Sequence, residues 1–433
     1  MTREAKNRAG LAALAAVALR LALWAHLSTD PRQFLRADSL SYKIPAVNLL
    51  AGRGFSGSTQ APYAPETSRT PGYPLFLAAH RLVSYEDRWP ALTQVFLDAG
   101  TAVLAASCAS LLAPGPWVWL AAAFYGLEPM TVAHAPLLLT EPLFGFLLTL
   151  ALYWLLRAGP EGRVLLAGSA GLILGAATLV RPISLYLWLP LCAALAWPWR
   201  RRPAALAALA LGAALIPATW CARNQTLFGS VSFSSLPGVN FLYYDAAAVE
   251  AAATGIPGGV AARELRERFE SENPGLTDPF EASRRQAAAA RRVFAAHPLA
   301  LLRVHAFTGL KMLLGPGVEL VAQELYGETS EALEDRAGAL SGRGTRAILA
   351  RRPALWAVVA FQAMLLAAVY LLSLRGLLVV ARRGAFFAAA WLVPLFYLAI
   401  ISTGGWCYYR FRVPLWPLFC VLAAAGTRPL TRS

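Results

Sequence analysis

Charge is scarce in this chain: only 15% of its 433 residues are Asp, Glu, Lys or Arg, whereas 57% are hydrophobic. Soluble domains carry roughly a quarter of their residues as charges, so an ordinary soluble enzyme is excluded at the outset. Histidine is equally sparse, and His26, His80, His134, His297 and His305 are too scattered to form a ligand cluster by spacing. Cys108, Cys192, Cys221, Cys407 and Cys420 lie mostly inside apolar runs and read as small packing residues, which leaves redox chemistry unsupported. There is no HExxH, no P-loop, no paired CxxC and no repeat of fixed period. Gly52-Arg53-Gly54-Phe55-Ser56-Gly57 fits G-x-G-x-x-G by letters, but no strand precedes it and no βαβ unit surrounds it. Asn224-Gln225-Thr226 is a glycosylation sequon by letters alone. Acids are outnumbered by bases, giving a net charge of +15, yet the arginines sit at the ends of apolar runs rather than in a basic stripe. Nucleic acid is therefore not an expected partner, and membrane lipids are.

What the chain does have is a series of apolar runs of roughly 20 residues, the length that crosses a ~30 Å hydrocarbon core. The first, Leu11 to Leu27, follows Arg3, Lys6 and Arg8 and reads as a retained helix with its N-terminus inside. Further spans are expected at 90–112, 117–136, 142–157, 164–180, 184–198, 204–222, 353–374, 385–402 and 413–426. The fold class expected is an all-α polytopic membrane bundle of about ten transmembrane helices. Alternation puts Arg157 and Arg163, Arg200 to Arg202, Arg375 with Arg382 and Arg383, and Arg428 with Arg432 on the cytoplasmic side, as the positive-inside rule requires. Leu299 to Val318 resists the scheme, because counting it as a span reverses the final helices. It reads as a helix lying on or re-entering the outer face, with a cytoplasmic loop suggested by the basic stretch Arg336 to Arg352. The organisation expected is an N-terminal transmembrane module over 1–222 containing a first loop at 28–89, an outer-face helical insertion over 223–352, and C-terminal helices over 353–433.

Ionisable residues beside apolar spans are costly and so become candidates for function. Asp38 follows the first span by about ten residues, and two readings fit it: a helix N-cap, or a general base that takes the proton from an attacking hydroxyl. Arg69 precedes Thr70-Pro71-Gly72-Tyr73-Pro74, whose prolines hold the backbone in a turn and place a guanidinium at headgroup level. It suits a phosphate or an ordinary lipid headgroup. Thr140-Glu141-Pro142 reads either as a capped helix start or as a second acid that binds the acceptor or a metal, with Glu128 and His134 nearby in sequence. Arg181, Arg410 and Arg412 fall on the same outer side as Asp38 and point to one anionic substrate site, although tyrosine and arginine at an interface also make aromatic belts. Arg20 and Asp98 lie inside apolar runs at matching depth, and an ion pair between them is expected.

Taken in order, these residues resemble the GT-C glycosyltransferases, in particular the bacterial family 39 branch related to protein O-mannosyltransferases and lipid A aminoarabinose transferases. Asp38 with Tyr42 looks like the acidic first-loop motif, and Gly52-Arg53-Gly54-Phe55 and Arg69-Thr70-Pro71-Gly72-Tyr73-Pro74-Leu75-Phe76 like the signature that follows it. Thr140-Glu141-Pro142-Leu143-Phe144, Arg181-Pro182, Arg223-Asn224 and Arg410-Phe411-Arg412-Val413-Pro414 match later landmarks of that family.

The resemblance implies an inverting enzyme of the bacterial inner membrane whose active site faces outward. It implies a sugar on a polyprenyl phosphate as donor, and a lipid, glycan or protein as acceptor. By carry-over Asp38 is the catalytic base and Arg69 holds the donor phosphate; the shared outer side adds Arg181, Arg410 and Arg412 as candidates for the same phosphate, with Glu141, Tyr42 and His134 as candidates for the acceptor or a second acid. The related aminoarabinose-transferase loop has an acid where this chain has Ser68, so the metal requirement stays open, with a divalent ion as the candidate cofactor. Two other functions remain in view: a polymerase or ligase of polyprenyl-linked glycans, and a transporter of lipid or sugar. Matched broken helices in two halves would favour the transporter, and no such symmetry is visible.

Overall fold

The computed structural model describes residues 3–317, 320–322, 325, 348–405 and 409–428. Most of the basic stretch Arg336 to Arg352, together with Cys407 and Arg432, lies outside them. The described residues are helical, with one isolated bridge between Ser56 and Pro65. In chain order the helices are α1 (Arg3–Leu27), α2 (Ser39–Leu50), α3 (Gly72–Arg81), α4 (Arg88–Leu112), α5 (Leu120–Gly126), α6 (Pro129–His134), α7 (Glu141–Ala158), α8 (Val164–Val180), α9 (Trp188–Ala196) and α10 (Pro203–Phe228). They continue with α11 (Leu236–Asn240), a π-helical turn at Phe241–Ala246, α12 (Ala247–Thr254), α13 (Gly258–Glu272), α14 (Pro279–Ala296) and α15 (Pro298–Leu314). The chain closes with α16 (Leu355–Arg383), α17 (Ala385–Ile401), a 3₁₀ segment at Tyr409–Leu415 and α18 (Trp416–Gly426).

Proline repeatedly opens helices here, at Pro129, Pro142, Pro203, Pro279 and Pro298, where its missing N–H has no intrahelical partner to lose. Small residues then let the helices approach. On the buried face of α4, Ala91, Ala102, Ala105, Ala106 and Ala109 line the contact with the bundle. A Cβ added at Gly171 of α8 would lie 2.3 Å from the Leu209 carbonyl of α10, so the two backbones touch directly.

The chain is a multi-pass membrane protein. Five helices, α1, α4, α7, α10 and α16, are long and apolar enough to cross a bilayer, and α8, α17 and the stretch Pro182–Ala196 are shorter apolar segments. The remaining two expected spans differ from single straight helices. Residues 117–136 break into α5 and α6 because Glu128 leaves the helix, caps the Thr131 N–H at 2.6 Å and is followed by Pro129. Residues 413–426 begin as the 3₁₀ segment and continue as the 11-residue α18, which is buried among its neighbours. Of the Leu299 to Val318 stretch, the part to Leu314 lies in α15, which leaves α14 at a bend of 102° and exposes Leu299, Leu302, Phe307, Leu310 and Leu314; Val318 lies outside the described residues. The helices from α11 to α14 enclose a small separate core of Leu242, Ala246, Leu265, Phe269 and Ala290.

Candidate active site

Asp38 stands at the N-terminal cap position of α2, yet its side chain makes no capping bond. Its two oxygens are taken by guanidinium groups instead: Arg69 Nη2 donates to Oδ1 at 3.0 Å, and Arg410 Nη2 donates to Oδ2 at 2.9 Å. Tyr42 follows one helical turn later on the same face of α2. Its hydroxyl accepts from Arg69 Nη1 at 3.2 Å, and its ring centre lies 4.7 Å from the guanidinium carbon. Burial pushes the Asp38 carboxyl up, but the charges of Arg410 and Arg69 outweigh it and hold the group below the usual aspartate value. Burial likewise raises the Tyr42 phenol, against the pull of Arg69. At Arg410 burial works against the cation, and Glu141 and Asp38 together overcome it.

The loop that carries Arg69 docks through Gly72. A Cβ there would lie 2.5 Å from the Leu179 carbonyl carbon, so only glycine lets the start of α3 rest on the end of α8. Arg181 is the residue that ends α8, and it donates from Nη1 to Glu141 Oε1 at 2.8 Å and to Thr140 Oγ1 at 3.2 Å. Thr140 makes no capping bond, and the Glu141 side chain is only 3% exposed. Phe411 joins the two halves of the site, with the guanidinium carbons of Arg181 and Arg410 at 5.3 and 5.4 Å from its ring centre. Asp38 and Tyr42 of α2, with Arg69, Glu141, Arg181 and Arg410, thus bring five separate parts of the sequence into one cluster.

Arg412 does not join it. Its buried guanidinium donates from Nη1 to the Met312, Leu313 and Gly315 carbonyls at 3.0, 2.9 and 2.9 Å, and from Nη2 to Glu128 Oε1 at 3.2 Å. It therefore caps the C-terminal end of α15. Gln362 Nε2 donates to the same Glu128 oxygen at 2.6 Å, so Glu128 is a structural hub. His134 is buried, and its Nδ1 pairs with the Met130 carbonyl at 2.8 Å. Two polar residues near the cluster lie outside the set that the sequence marks as candidate site residues. Arg36 belongs to the first loop, where its Nη1 donates to the Gln33 carbonyl at 2.8 Å and burial lowers its pKa to about 10. Glu66 folds over the segment leading to Arg69. Arg36 had a signal in lying two positions before Asp38; Glu66 had none beyond lying three positions before Arg69.

Among the described residues, no three His, Cys, Asp or Glu side chains gather as a metal site requires. The carboxylates of Asp38 and Glu141 are each committed to guanidinium groups, a donor set that does not suit a divalent cation.

No family profile and no curated protein matches the chain. Among solved structures it is similar to the apo oligosaccharyltransferase of Archaeoglobus fulgidus, at a TM-score of 0.50 and 12% identity, covering 98% of this chain and 50% of that one. The chain has a GT-C fold. The oligosaccharyltransferase AglB of the same organism, in complex with an inhibitory peptide and a dolichol-phosphate, gives 0.49 and 15% identity over 98% of this chain and 50% of that one. ArnT from Cupriavidus metallidurans bound to undecaprenyl phosphate gives 0.39 and 14% identity over 95% of this chain and 76% of that one. The chain spans about half the length of the oligosaccharyltransferases it matches. At such identities the likeness concerns the GT-C architecture, and the activity is argued from the site.

Proposed function

We propose that this GT-C protein is a membrane glycosyltransferase that moves a sugar from a polyprenyl-phosphate donor to a lipid, glycan or protein acceptor at the extracytoplasmic face. The observation that carries the reading is the grip of Arg69 and Arg410 on the two oxygens of Asp38, at the loop face of a membrane bundle. One carboxylate set between two cations is what transfer from a phosphate demands: a base for the incoming hydroxyl and a cradle for the outgoing anion.

In this mechanism the phosphate of the donor lies against Arg69 and Arg410, with Arg181 beyond Phe411. The phosphate shares the arginine donors with Asp38 and so relaxes their hold on its carboxylate, which gains proton affinity where it is needed. Asp38 then accepts the proton of the acceptor hydroxyl as that oxygen bonds to the anomeric carbon. The bond from the anomeric carbon to the phosphate oxygen breaks, and its electron pair leaves with the polyprenyl phosphate. Direct displacement inverts the anomeric centre and needs no covalent enzyme intermediate. The arginines, already oriented by Tyr42, Phe411 and Asp38, stabilise the growing phosphate charge without reorganising.

The test is release of free polyprenyl phosphate from a labelled polyprenyl-phosphate sugar by the purified protein in detergent, with acceptor candidates supplied. A transporter makes no product once the vesicle is gone, so absence of release with every donor overturns the reading. A glycan polymerase or ligase is separated by donor size, since it consumes oligosaccharide donors and spares monosaccharide ones. Mass spectrometry of envelope lipids, glycans and proteins with and without the gene then identifies the sugar.

A further inference from the structure

The strap that delivers Arg69 has its backbone polar groups satisfied in sequence. On one side, Glu66 Oε1 accepts the N–H groups of Thr67, Ser68 and Arg69 at 3.0, 2.7 and 3.2 Å. On the other, Arg223 Nη1 donates to the Glu66 carbonyl at 2.8 Å, the Ser235 N–H to the Thr67 carbonyl at 2.9 Å, and Ser234 Oγ to the Ser68 carbonyl at 2.7 Å. Glu66 is itself pinned by its N–H, which donates to the Phe55 carbonyl at 2.8 Å. Pro71 stiffens the next turn. Three donors converging on one carboxylate oxygen make charge-assisted bonds, which are stronger than neutral ones. The other oxygen lies close over Gly57: a Cβ added there would come within 2.2 Å of Glu66 Oε2.

We propose that Glu66 is the positioning residue for Arg69, fixing the backbone from which its guanidinium reaches Asp38 and the donor phosphate. The inference rests on the reading of Arg69 as a phosphate-binding group. Arginine has many rotamers, and a mobile backbone would multiply the places its head could reach. Glu66 takes no part in proton or sugar transfer; it acts through the peptide chain, with Arg223, Ser234 and Ser235 bracing the opposite edge. Its amide counterpart could do the same, because a glutamine oxygen also accepts.

The experiment measures binding of a polyprenyl monophosphate without sugar, turnover and thermal unfolding, on the full-length protein in detergent. Glu66→Ala is expected to weaken phosphate binding by about tenfold or more, as a misplaced binding group does. Glu66→Gln should stay within about threefold of wild type, since it keeps the accepting oxygen. In an Arg69→Ala background, Glu66→Ala should add no further loss of binding. Gly57→Ala should weaken binding and lower the unfolding temperature in the wild type, and do neither in Glu66→Ala, where the colliding oxygen is gone. Additive losses in these two cycles, or a Glu66→Gln as damaged as Glu66→Ala, overturn the proposal itself. Unchanged phosphate binding in Arg69→Ala overturns the premise instead, and the Gly57 and Glu66 unfolding cycle still reports separately whether the strap is held as described.

Discussion

Asp38 and Arg410 stand 372 positions apart in the chain and meet at 2.9 Å, so the first loop and the approach to the last helix close one site between them. Arg69 completes the contact from the far end of the same loop. The sequence suggested a common face for these residues; the structure adds which atoms meet and that the carboxylate answers to two cations at once.

Asp38→Asn should abolish transfer while leaving the protein folded, because the amide keeps the size of the side chain and removes the base. A positioned base contributes about 10²- to 10⁴-fold, so the variant should fall at least that far in turnover. Its unfolding temperature should move little, since the pairs it loses are about a third exposed and screened by water. Retention of more than about a tenth of wild-type turnover would leave no room for Asp38 as the base.

Arg410→Gln should change the pH profile. Asp38 is held below the usual aspartate value of 3.8, with Arg410 the strongest of the charges that counter its burial. A depressed carboxylate is ionised above its folded pKa and loses that form as pH falls through it, so the wild-type acid limb should lie below the ordinary aspartate range. The stability that the ionised pair contributes is present above the unfolded pKa and is likewise lost on acidification. Removing the Arg410 charge should raise the Asp38 pKa and move the acid limb of the residual turnover to higher pH. A limb that stays in place in kcat/KM measured against pH would separate Asp38 from the rate.

The apolar runs made the membrane class legible, because a ~30 Å core leaves few alternatives for long uncharged segments. The paired Arg20 and Asp98 were legible for the same reason, since intramembrane charges need partners. The break at Glu128-Pro129 was harder to see, because its cause is remote: Glu128 leaves the helix to cap Thr131 and to receive Gln362 and Arg412 from much later in the chain. Arg410 and Arg412 could not be told apart by spacing. A shared outer side does not fix where each side chain points, and this segment is a 3₁₀ turn at Tyr409–Leu415. At about three residues per turn, positions two apart point about 120° from each other. One arginine therefore faces Asp38 and the other the end of α15.

That division gives a prediction in which activity and stability separate. Arg412→Gln leaves Glu128 buried without its cation and the Met312, Leu313 and Gly315 carbonyls without their donor. Loss of one partner from a buried pair costs about 3–5 kcal/mol, so a clear drop in unfolding temperature is expected. Arg410→Gln should instead lower donor binding and turnover with a smaller thermal effect, because its pair with Asp38 is partly exposed. Thermal melts and donor titrations on the two variants check this together, and equal melting curves would contradict the assignment of Arg412 as a brace.

Arg20 and Asp98 lock α1 to α4 inside the bundle, with Nε to Oδ2 at 2.5 Å and both side chains almost fully buried. The pair is embedded in further bonds. Arg20 Nη1 donates to the Ala16 and Gly126 carbonyls at 3.1 and 2.9 Å and Nη2 to Thr131 Oγ1 at 3.1 Å, while the Tyr125 hydroxyl donates to Asp98 Oδ1 at 2.5 Å. Arg20→Met or Asp98→Asn alone strands the other charge in an apolar bundle, and each should cost about 3–5 kcal/mol of stability. The double variant removes both charges and should recover part of the loss. Recovery should stay incomplete, because the Gly126 carbonyl and the Thr131 hydroxyl still lose the Arg20 donor, whereas the asparagine oxygen can still accept from Tyr125. A double-mutant cycle of unfolding free energies measures the coupling directly. Strictly additive losses would mean that the two charges are stabilised separately, by their hydrogen bonds to α5 and α6, rather than by each other.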